Sequence, residues 1–415
     1  MDKILKKCAK CGACTVVCPV YKASGKECYS ARGKMHLLEV YGQEASSIFE
    51  DIFAKCLLCG SCNKVCPRGL DITGEVMSAR ANFGRFYGSH GHEKYVARKV
   101  LERPQLLHGA RFFGNIAAKL FLDALPMESG LRLRLAMFDG DMETLLPTAG
   151  DKAEAGQSQV GLEVINYFPG CSTSYLYPKS IGAVRKLAEK TGFLLHIPAG
   201  LGCCGLALEA AGDFSKAKGC AKKNIEVLEQ TEGKILVTCG SCWAQLKNYP
   251  GLFSNEPDWQ RRAEEIAGRL EEVSRFFAAK ISPQRIAGAE VTPKKELRVF
   301  YHDPCHLRNE NQVTAEPRKL LSYIEGLTLL ELEDGPQCCG SGGLFHLGAP
   351  KISGIIRDDL AEKVLAMKPD IITTTCSGCY MQWRTALAKT DSPARLLFLT
   401  ELLSERLNLS SNIEC

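Results

Sequence analysis

Two short stretches decide the architecture: Leu201-Gly202-Cys203-Cys204-Gly205 and Pro336-Gln337-Cys338-Cys339-Gly340. Each lies inside a longer pattern. In the first, Cys171 precedes the pair by 31 residues, and Cys239-x-x-Cys242 follows it after 34. In the second, Cys305 precedes the pair by 32 residues, and Cys376-x-x-Cys379 follows after 36. Five cysteines recur at nearly one spacing, so the chain contains an internal repeat offset by about 135 residues.

Outward from each cysteine group, short apolar runs alternate with helical stretches. The strands predicted in the first repeat are Val164–Phe168, Phe193–Ile197 and Lys234–Thr238. Those in the second are Leu297–Tyr301, Leu327–Leu332 and Asp370–Thr374. Helices are expected from Cys171 to about Lys190 and from Phe214 to Gln230. Alternation of this kind predicts a parallel sheet in each repeat. Every cysteine group then falls just past the C-terminal end of a strand, where open α/β sheets bind ligands. The helix that follows points its positive dipole end at the sulfurs, which favours thiolates. Adjacent cysteines such as Cys203 and Cys204 suit the bridging of two irons, or a cluster of unusual shape.

A second cysteine pattern stands ahead of the repeats. Cys8-x-x-Cys11-x-x-Cys14-x-x-x-Cys18-Pro19 recurs as Cys56-x-x-Cys59-x-x-Cys62-x-x-x-Cys66-Pro67. This is the bacterial ferredoxin run, and two copies imply two [4Fe–4S] clusters. Three cysteines in a tight loop hold three corners of one cube, and the fourth reaches the other cluster. One expected ligand set is Cys8, Cys11, Cys14 and Cys66; the other is Cys56, Cys59, Cys62 and Cys18. The connection is long and predicts helices at Met35–Tyr41 and Ile48–Ala54, the helical variant of such a module. Cys28 fits no ligand pattern and reads as a buried spare thiol. Arg32-Gly33-Lys34 places positive charge near a cluster or forms a plain surface turn.

The bulk numbers exclude several classes. With 415 residues, 45% apolar and 24% charged, the chain suits several soluble domains. A net charge of +5 without a basic stripe gives no case for nucleic-acid binding. The 21 cysteines, with no apolar signal core at Met1–Cys8, predict metal ligation rather than disulfides. No run of 18 apolar residues is present. The expectation is a cytoplasmic protein, with peripheral contact at the inner face of the cell membrane left open. The segments Val96–Leu107 and Arg111–Leu125 predict amphipathic helices with Arg98, Lys99, Arg103, Arg111 and Lys119 on polar faces, punctuated by Pro104 and Pro126. They read as bridges between domains or as a surface for a membrane or partner. The stretch from Gly150 to Gly161 reads as a linker.

The boundaries that follow are 1–92 for an all-α double [4Fe–4S] ferredoxin-like domain, 93–160 for a helical connector, and 161–290 and 291–415 for two α/β cysteine-rich domains. In these motifs the chain resembles the cysteine-rich ("CCG") domain proteins. In that family the five-cysteine motif occurs twice in the catalytic subunit of heterodisulfide reductase, each complete copy with a non-cubane [4Fe–4S] cluster. A double ferredoxin run fused ahead of two such domains is similar to the iron–sulfur subunits of glycolate oxidase, of lactate oxidation systems and of anaerobic glycerol-3-phosphate dehydrogenase. Cys14-Thr15-Val16-Val17-Cys18-Pro19-Val20-Tyr21, followed by Ala31-Arg32-Gly33-Lys34, leans toward the 2-hydroxy-acid group.

The resemblance implies two [4Fe–4S] clusters in the first domain and one or two further, non-cubane clusters on Cys171, Cys203, Cys204, Cys239, Cys242, Cys305, Cys338, Cys339, Cys376 and Cys379. Zinc in one repeat is the alternative, although five ligands exceed what tetrahedral zinc needs. No flavin or nicotinamide fingerprint is present, so the expected partner is an FAD-containing dehydrogenase subunit, with a quinone or membrane subunit as acceptor. The implied role is electron transfer for a glycolate- or lactate-type dehydrogenase. Both five-cysteine motifs are complete, which keeps a second reading, disulfide reduction at a non-cubane cluster. His302 and His306 bracket Cys305 and are the candidates for proton transfer; Cys220 and Cys415 receive no role.

Overall fold

The structure is a computed structural model and describes residues 8–42, 46–84, 86–121, 162–282 and 296–407. The expected linker at 150–161 and Cys415 lie outside these residues.

Each repeat is built on a four-stranded, all-parallel sheet. In the first, strands β1 (Glu163–Phe168), β2 (Phe193–His196), β3 (Ile235–Val237) and β4 (Leu270–Glu272) are ordered β2-β1-β3-β4. In the second, β5 (Leu297–His302), β6 (Leu327–Leu330), β7 (Ile371–Thr374) and β8 (Arg395–Phe398) are ordered β6-β5-β7-β8. The central strands are rich in β-branched and aromatic residues and are covered on both faces, as a parallel sheet requires. The strand order reverses direction at β1/β3 and at β5/β7. That switch point is where an open α/β sheet leaves a crevice beyond its strand ends.

The repeat is visible in detail. The Tyr167 hydroxyl meets Thr238 Oγ1 at 2.8 Å, and the Tyr301 hydroxyl meets Thr375 Oγ1 at 3.0 Å. Each threonine directly precedes the first cysteine of its Cys-x-x-Cys pair. The two repeats also share their cores. One apolar cluster joins Phe168, Trp243 and Phe253 to Phe300, Leu307 and Trp383; a second joins Tyr167, Leu187 and Phe277 to Tyr301, Leu320 and Leu403.

The N-terminal part is helical, including Ala31–Tyr41, Ser47–Ala54 and Ile72–Ala81. It is clamped to the first repeat by Arg80. This buried guanidinium donates to the carbonyls of Phe53 (3.1 and 2.9 Å), Cys56 (2.8 Å) and Ala210. Gly212 makes that approach possible: with φ +82°, a Cβ there would lie 2.4 Å from the Arg80 carbonyl carbon.

Three expectations need correction. Helices span Gly91–Glu102 and Leu106–Phe121, so the first ends before Pro104 rather than at Leu107. Arg98 and Arg111 are buried instead of lying on polar faces. The first of these helices packs against Leu206–Ala210 and Phe345–Gly348, one from each repeat, and this turns its basic face inward. The single helix expected after Cys171 is two, Gly170–Tyr175 and Lys179–Lys190, broken at Pro178.

Candidate metal centres

The two ferredoxin-type loops repeat one backbone geometry. Lys10 and Gly12 have positive φ, as do Leu58 and Gly60 at the equivalent places. This left-handed pair coils the chain tightly enough to turn three sulfurs to one side. Cys8, Cys11, Cys14 and Cys66 line one cavity, together with Arg32. Cys66 thus crosses from the second run to the first set. Burial, then the neighbouring charges of Cys56, Cys59, Cys18 and Cys14, raises the Cys62 thiol pKa, and Cys18 packs against the apolar cluster that holds Cys59 of the second set.

Positive charge stands beside both sets. Arg32 lines the first cavity. Lys34 is fully buried, donates to the Tyr29 carbonyl, and lies close enough to Cys56 and Cys18 for their charges to oppose the lowering of its pKa by burial. Arg32-Gly33-Lys34 opens the helix Ala31–Tyr41 rather than forming a surface turn, and sets its two cations beside cysteines, Arg32 paired with Glu27 at 2.7 Å. Cys28 is half-buried rather than buried, in a short 3-10 turn at Glu27–Tyr29.

In the cysteine-rich repeats the strand ends deliver the sulfurs to one rim. Cys171 Sγ lies 3.7 Å from Cys203 Sγ, and Cys339 Sγ lies 3.4 Å from Cys379 Sγ. The glycine of each triplet has a backbone reason. Gly205 and Gly340 have φ of +91° and +80°, and each N–H donates to the first sulfur of its pair at 3.4 Å. A Cβ at Gly340 would lie 2.9 Å from the Ser353 carbonyl oxygen. Cys239 and Cys376 sit at the N-terminal caps of helices Gly240–Lys247 and Ser377–Leu387, at their positive ends.

The two rims face each other. The Gly240 N–H donates to the Thr375 carbonyl at 2.8 Å, and Ser241 Oγ lies 3.2 Å from Cys376 Sγ. Contact with Cys242, then with Cys376, pulls the Cys239 pKa well down, while Cys239 pushes Cys376 up to about 11. Contacts with Cys203 and Cys242 bring Cys204 down to about 6. These crowded, buried thiols divide a few protons among themselves. A cation among them would stabilise all of them as thiolates, so the donor chemistry fits a metal centre.

The spacing also speaks to the kind of centre. Among the described residues, only His302, Cys339 and Cys379 bring three ligand atoms within 4.8 Å of one another.

The sequence candidates His302 and His306 are both near this chemistry but play different parts. Burial drives the His302 pKa down to about 4, which keeps the imidazole neutral. His306 Nδ1 lies 3.3 Å from Ser241 Oγ and so reaches Cys376 through one hydroxyl. It lines a cavity of about 240 Å³ at the junction of the N-terminal part with both repeats. Glu209 and Glu310 also line it, and burial raises the pKa of both carboxyls. Neither glutamate was visible as a site residue in the sequence, because each lies five residues past a cysteine, outside every ligand spacing. Cys220 packs beside the first triplet, with its Cβ 3.5 Å from where a Gly205 Cβ would stand.

The N-terminal part meets the second repeat through its second sulfur set. Burial, then the charge of Cys338, pushes the Cys59 thiol up to about 12. Cys59, Leu57 and Val20 share an apolar cluster with Cys338 and Phe345. Asn309 fixes the contact, donating to the Cys59 carbonyl at 2.8 Å.

Comparison with known proteins agrees with this geometry. A 4Fe-4S dicluster domain model matches residues 4–70, and a cysteine-rich domain model matches 165–247 and 299–384. The chain thus carries an iron–sulfur dicluster domain followed by two cysteine-rich (CCG) domains. It is similar to the "Probable glycolate oxidase iron-sulfur subunit" of Bacillus subtilis (strain 168), 27% identical over 97% of this chain and 94% of the relative. It is also similar to "Lactate utilization protein A" of Exiguobacterium sp., 29% identical over 57% of this chain and 96% of the relative. A third relative is a fumarate reductase (CoM/CoB) subunit of Methanothermobacter marburgensis, 31% identical over 58% of this chain and 45% of the relative. No helix among the described residues is long and apolar enough to cross a membrane.

Proposed function

We propose that the chain is the electron-transfer subunit of an oxidoreductase in which an FAD-containing partner oxidises a 2-hydroxy acid of the glycolate or lactate type. A quinone or another carrier takes the electrons. One observation carries this reading: the four sulfur sets form an unbroken series. Cys14 of the first set and Cys62 of the second pack against one apolar cluster. Cys59 of the second set shares an apolar cluster with Cys338 and Cys305 of the second repeat. Cys376 of that repeat and Cys239 of the first share an apolar cluster, tied together by the Gly240 N–H donating to the Thr375 carbonyl. When bound, iron–sulfur clusters would supply one-electron transfer at these positions. The protein's part is to fix the spacing through Arg80, Asn309 and Ser241, and to set the local charge through Arg32 and Lys34. The relatives named for glycolate oxidase and lactate utilization support the substrate class.

The test is reconstitution. The anaerobically purified chain is mixed with a flavoprotein 2-hydroxy-acid dehydrogenase and its substrate. Bleaching of the cluster absorption with the flavoprotein present, and none with substrate alone, is expected. No bleaching in either case would count against this role.

A second reading is disulfide reduction. It draws support from the two complete motifs meeting face to face, with His306, Glu209 and Glu310 lining a cavity beside them. Reduction would take two electrons from the bound clusters and two protons from solvent, breaking one S–S bond to give two thiols. Mixing the reduced chain with small disulfides and following cluster reoxidation separates the two roles.

A further inference from the structure

Among the positions beside the sulfurs where the two repeats differ, the end of the first strand stands out chemically. Register through Tyr167 and Tyr301 sets Phe168, the last residue of β1, opposite His302, the last residue of β5. Phe168 is fully buried and its side chain has no polar atom to offer. His302 is equally enclosed, 2% exposed, with its ring edge against Trp383 at 5.9 Å between centroids. The Thr374 hydroxyl donates to the His302 carbonyl at 3.0 Å and anchors the strand end. A ring nitrogen of His302 and the sulfurs of Cys339 and Cys379 all lie within 4.8 Å of one another.

We propose that His302 is a nitrogen ligand of the metal centre in the second cysteine-rich repeat, so that this centre has a mixed nitrogen–sulfur ligand set and the first repeat an all-sulfur one. The proposal rests on the reading that the second repeat holds an iron–sulfur centre. Three observations converge on it. The three donor atoms are closer together than any other group of three among the described residues. The His302 side chain is buried, where an imidazole is costly unless its nitrogens have partners. The same backbone position in the sister repeat carries a hydrocarbon, so the fold does not itself require a histidine there.

The consequence is a difference in potential. A neutral imidazole in a coordination position that a thiolate would otherwise fill would bring less negative charge to the centre and raise its potential, as it does where two histidines stand in for two cysteines in a [2Fe–2S] centre. The second repeat also packs its own cysteines against a sulfur set of the dicluster domain, Cys59 sharing an apolar cluster with Cys338. His302 would therefore make the nearer of the two repeats the stronger electron acceptor.

The test uses the full chain, purified anaerobically, with and without ¹⁵N-histidine, beside His302→Phe, which copies the first repeat. Pulsed EPR reads the nitrogen coupling, and metal analysis reads iron per chain. Expected is the large coupling of a directly bonded nitrogen, altered by the label and absent from His302→Phe, with iron per chain unchanged. If His302→Phe does not fold, His302→Gln replaces it, and the label-dependent coupling in the wild-type chain decides independently. Cys339→Ser separates the two levels of the argument. If it removes iron and an EPR signal, yet that signal shows no histidine coupling in the wild type, the ligand proposal falls and the iron–sulfur reading stands. If it removes neither, both fall.

Discussion

Ser241 Oγ of the first repeat lies 3.2 Å from Cys376 Sγ of the second. A hydroxyl at that distance donates to a thiolate, and hydrogen bonds to ligand sulfurs raise a cluster's potential. Ser241→Ala should therefore lower the potential of the second-repeat centre, on the order of 50 mV for one bond to a charged group. Iron per chain should not change. An EPR-monitored redox titration of both chains checks this, and identical potentials would contradict it.

Lys34 supports a parallel argument in the dicluster domain. A buried cation beside Cys18 and Cys56 stabilises the more negative, reduced form of the cluster they would hold. Lys34→Met should lower that cluster's potential, on the order of 100 mV at an effective dielectric near 20. Because burial lowers the lysine pKa, the difference from wild type should shrink as pH rises into the alkaline range. Titrations at two pH values read both effects.

Arg80 predicts how the domains come apart. Arg80→Ala would leave buried carbonyls of Phe53, Cys56 and Ala210 without donors. The cost should be roughly 3 kcal/mol, and it should fall on the junction more than on either core. Limited proteolysis is expected to cut the variant faster between the dicluster domain and the first repeat. Unchanged cutting and unchanged thermal stability would show that the clamp is idle.

Glu272 gives a prediction for pH. It is buried at the end of β4, with Oε2 accepting from the Ser274 and Arg275 amides at 2.9 and 3.0 Å. Burial, with a smaller contribution from the Glu316 charge, raises its pKa to about 7. The folded state therefore binds more protons than the unfolded state between the unfolded pKa and about 7. Stability should fall as pH rises through that window and then level off. Glu272→Gln should flatten the slope, removing up to roughly 3 kcal/mol of pH dependence. Thermal midpoints of both chains from pH 5 to 8 test this; parallel curves would refute it.

How much could be read from the residues depended on whether a local pattern expressed the contact. The ferredoxin runs and the five-cysteine repeats are such patterns, since ligands of one cluster must recur at fixed spacing. The six strands beside cysteine groups were legible because each is an apolar run ending at a motif. β4 was not, because Leu270-Glu271-Glu272 is short and charged. β8 was not, because its Leu396-Leu397-Phe398 runs straight into the apolar start of the helix Leu399–Arg406. The burial of Arg98 and Arg111 was hidden for another reason. A basic helical face normally meets water, and only the tertiary placement between two repeats turns it inward. Likewise Ser241 stands inside a Cys-x-x-Cys pair, yet nothing local says that it faces the other repeat.

The central claim is that four sulfur sets hold iron–sulfur centres in one series. Iron and zinc per chain on anaerobically purified protein, with EPR on the same sample, tests it most directly. The account predicts about sixteen irons, no zinc, and signals beyond those of ordinary cubanes. About eight irons, with or without zinc, would contradict it, leaving the dicluster domain alone as the redox-active part and the two repeats as a docking scaffold.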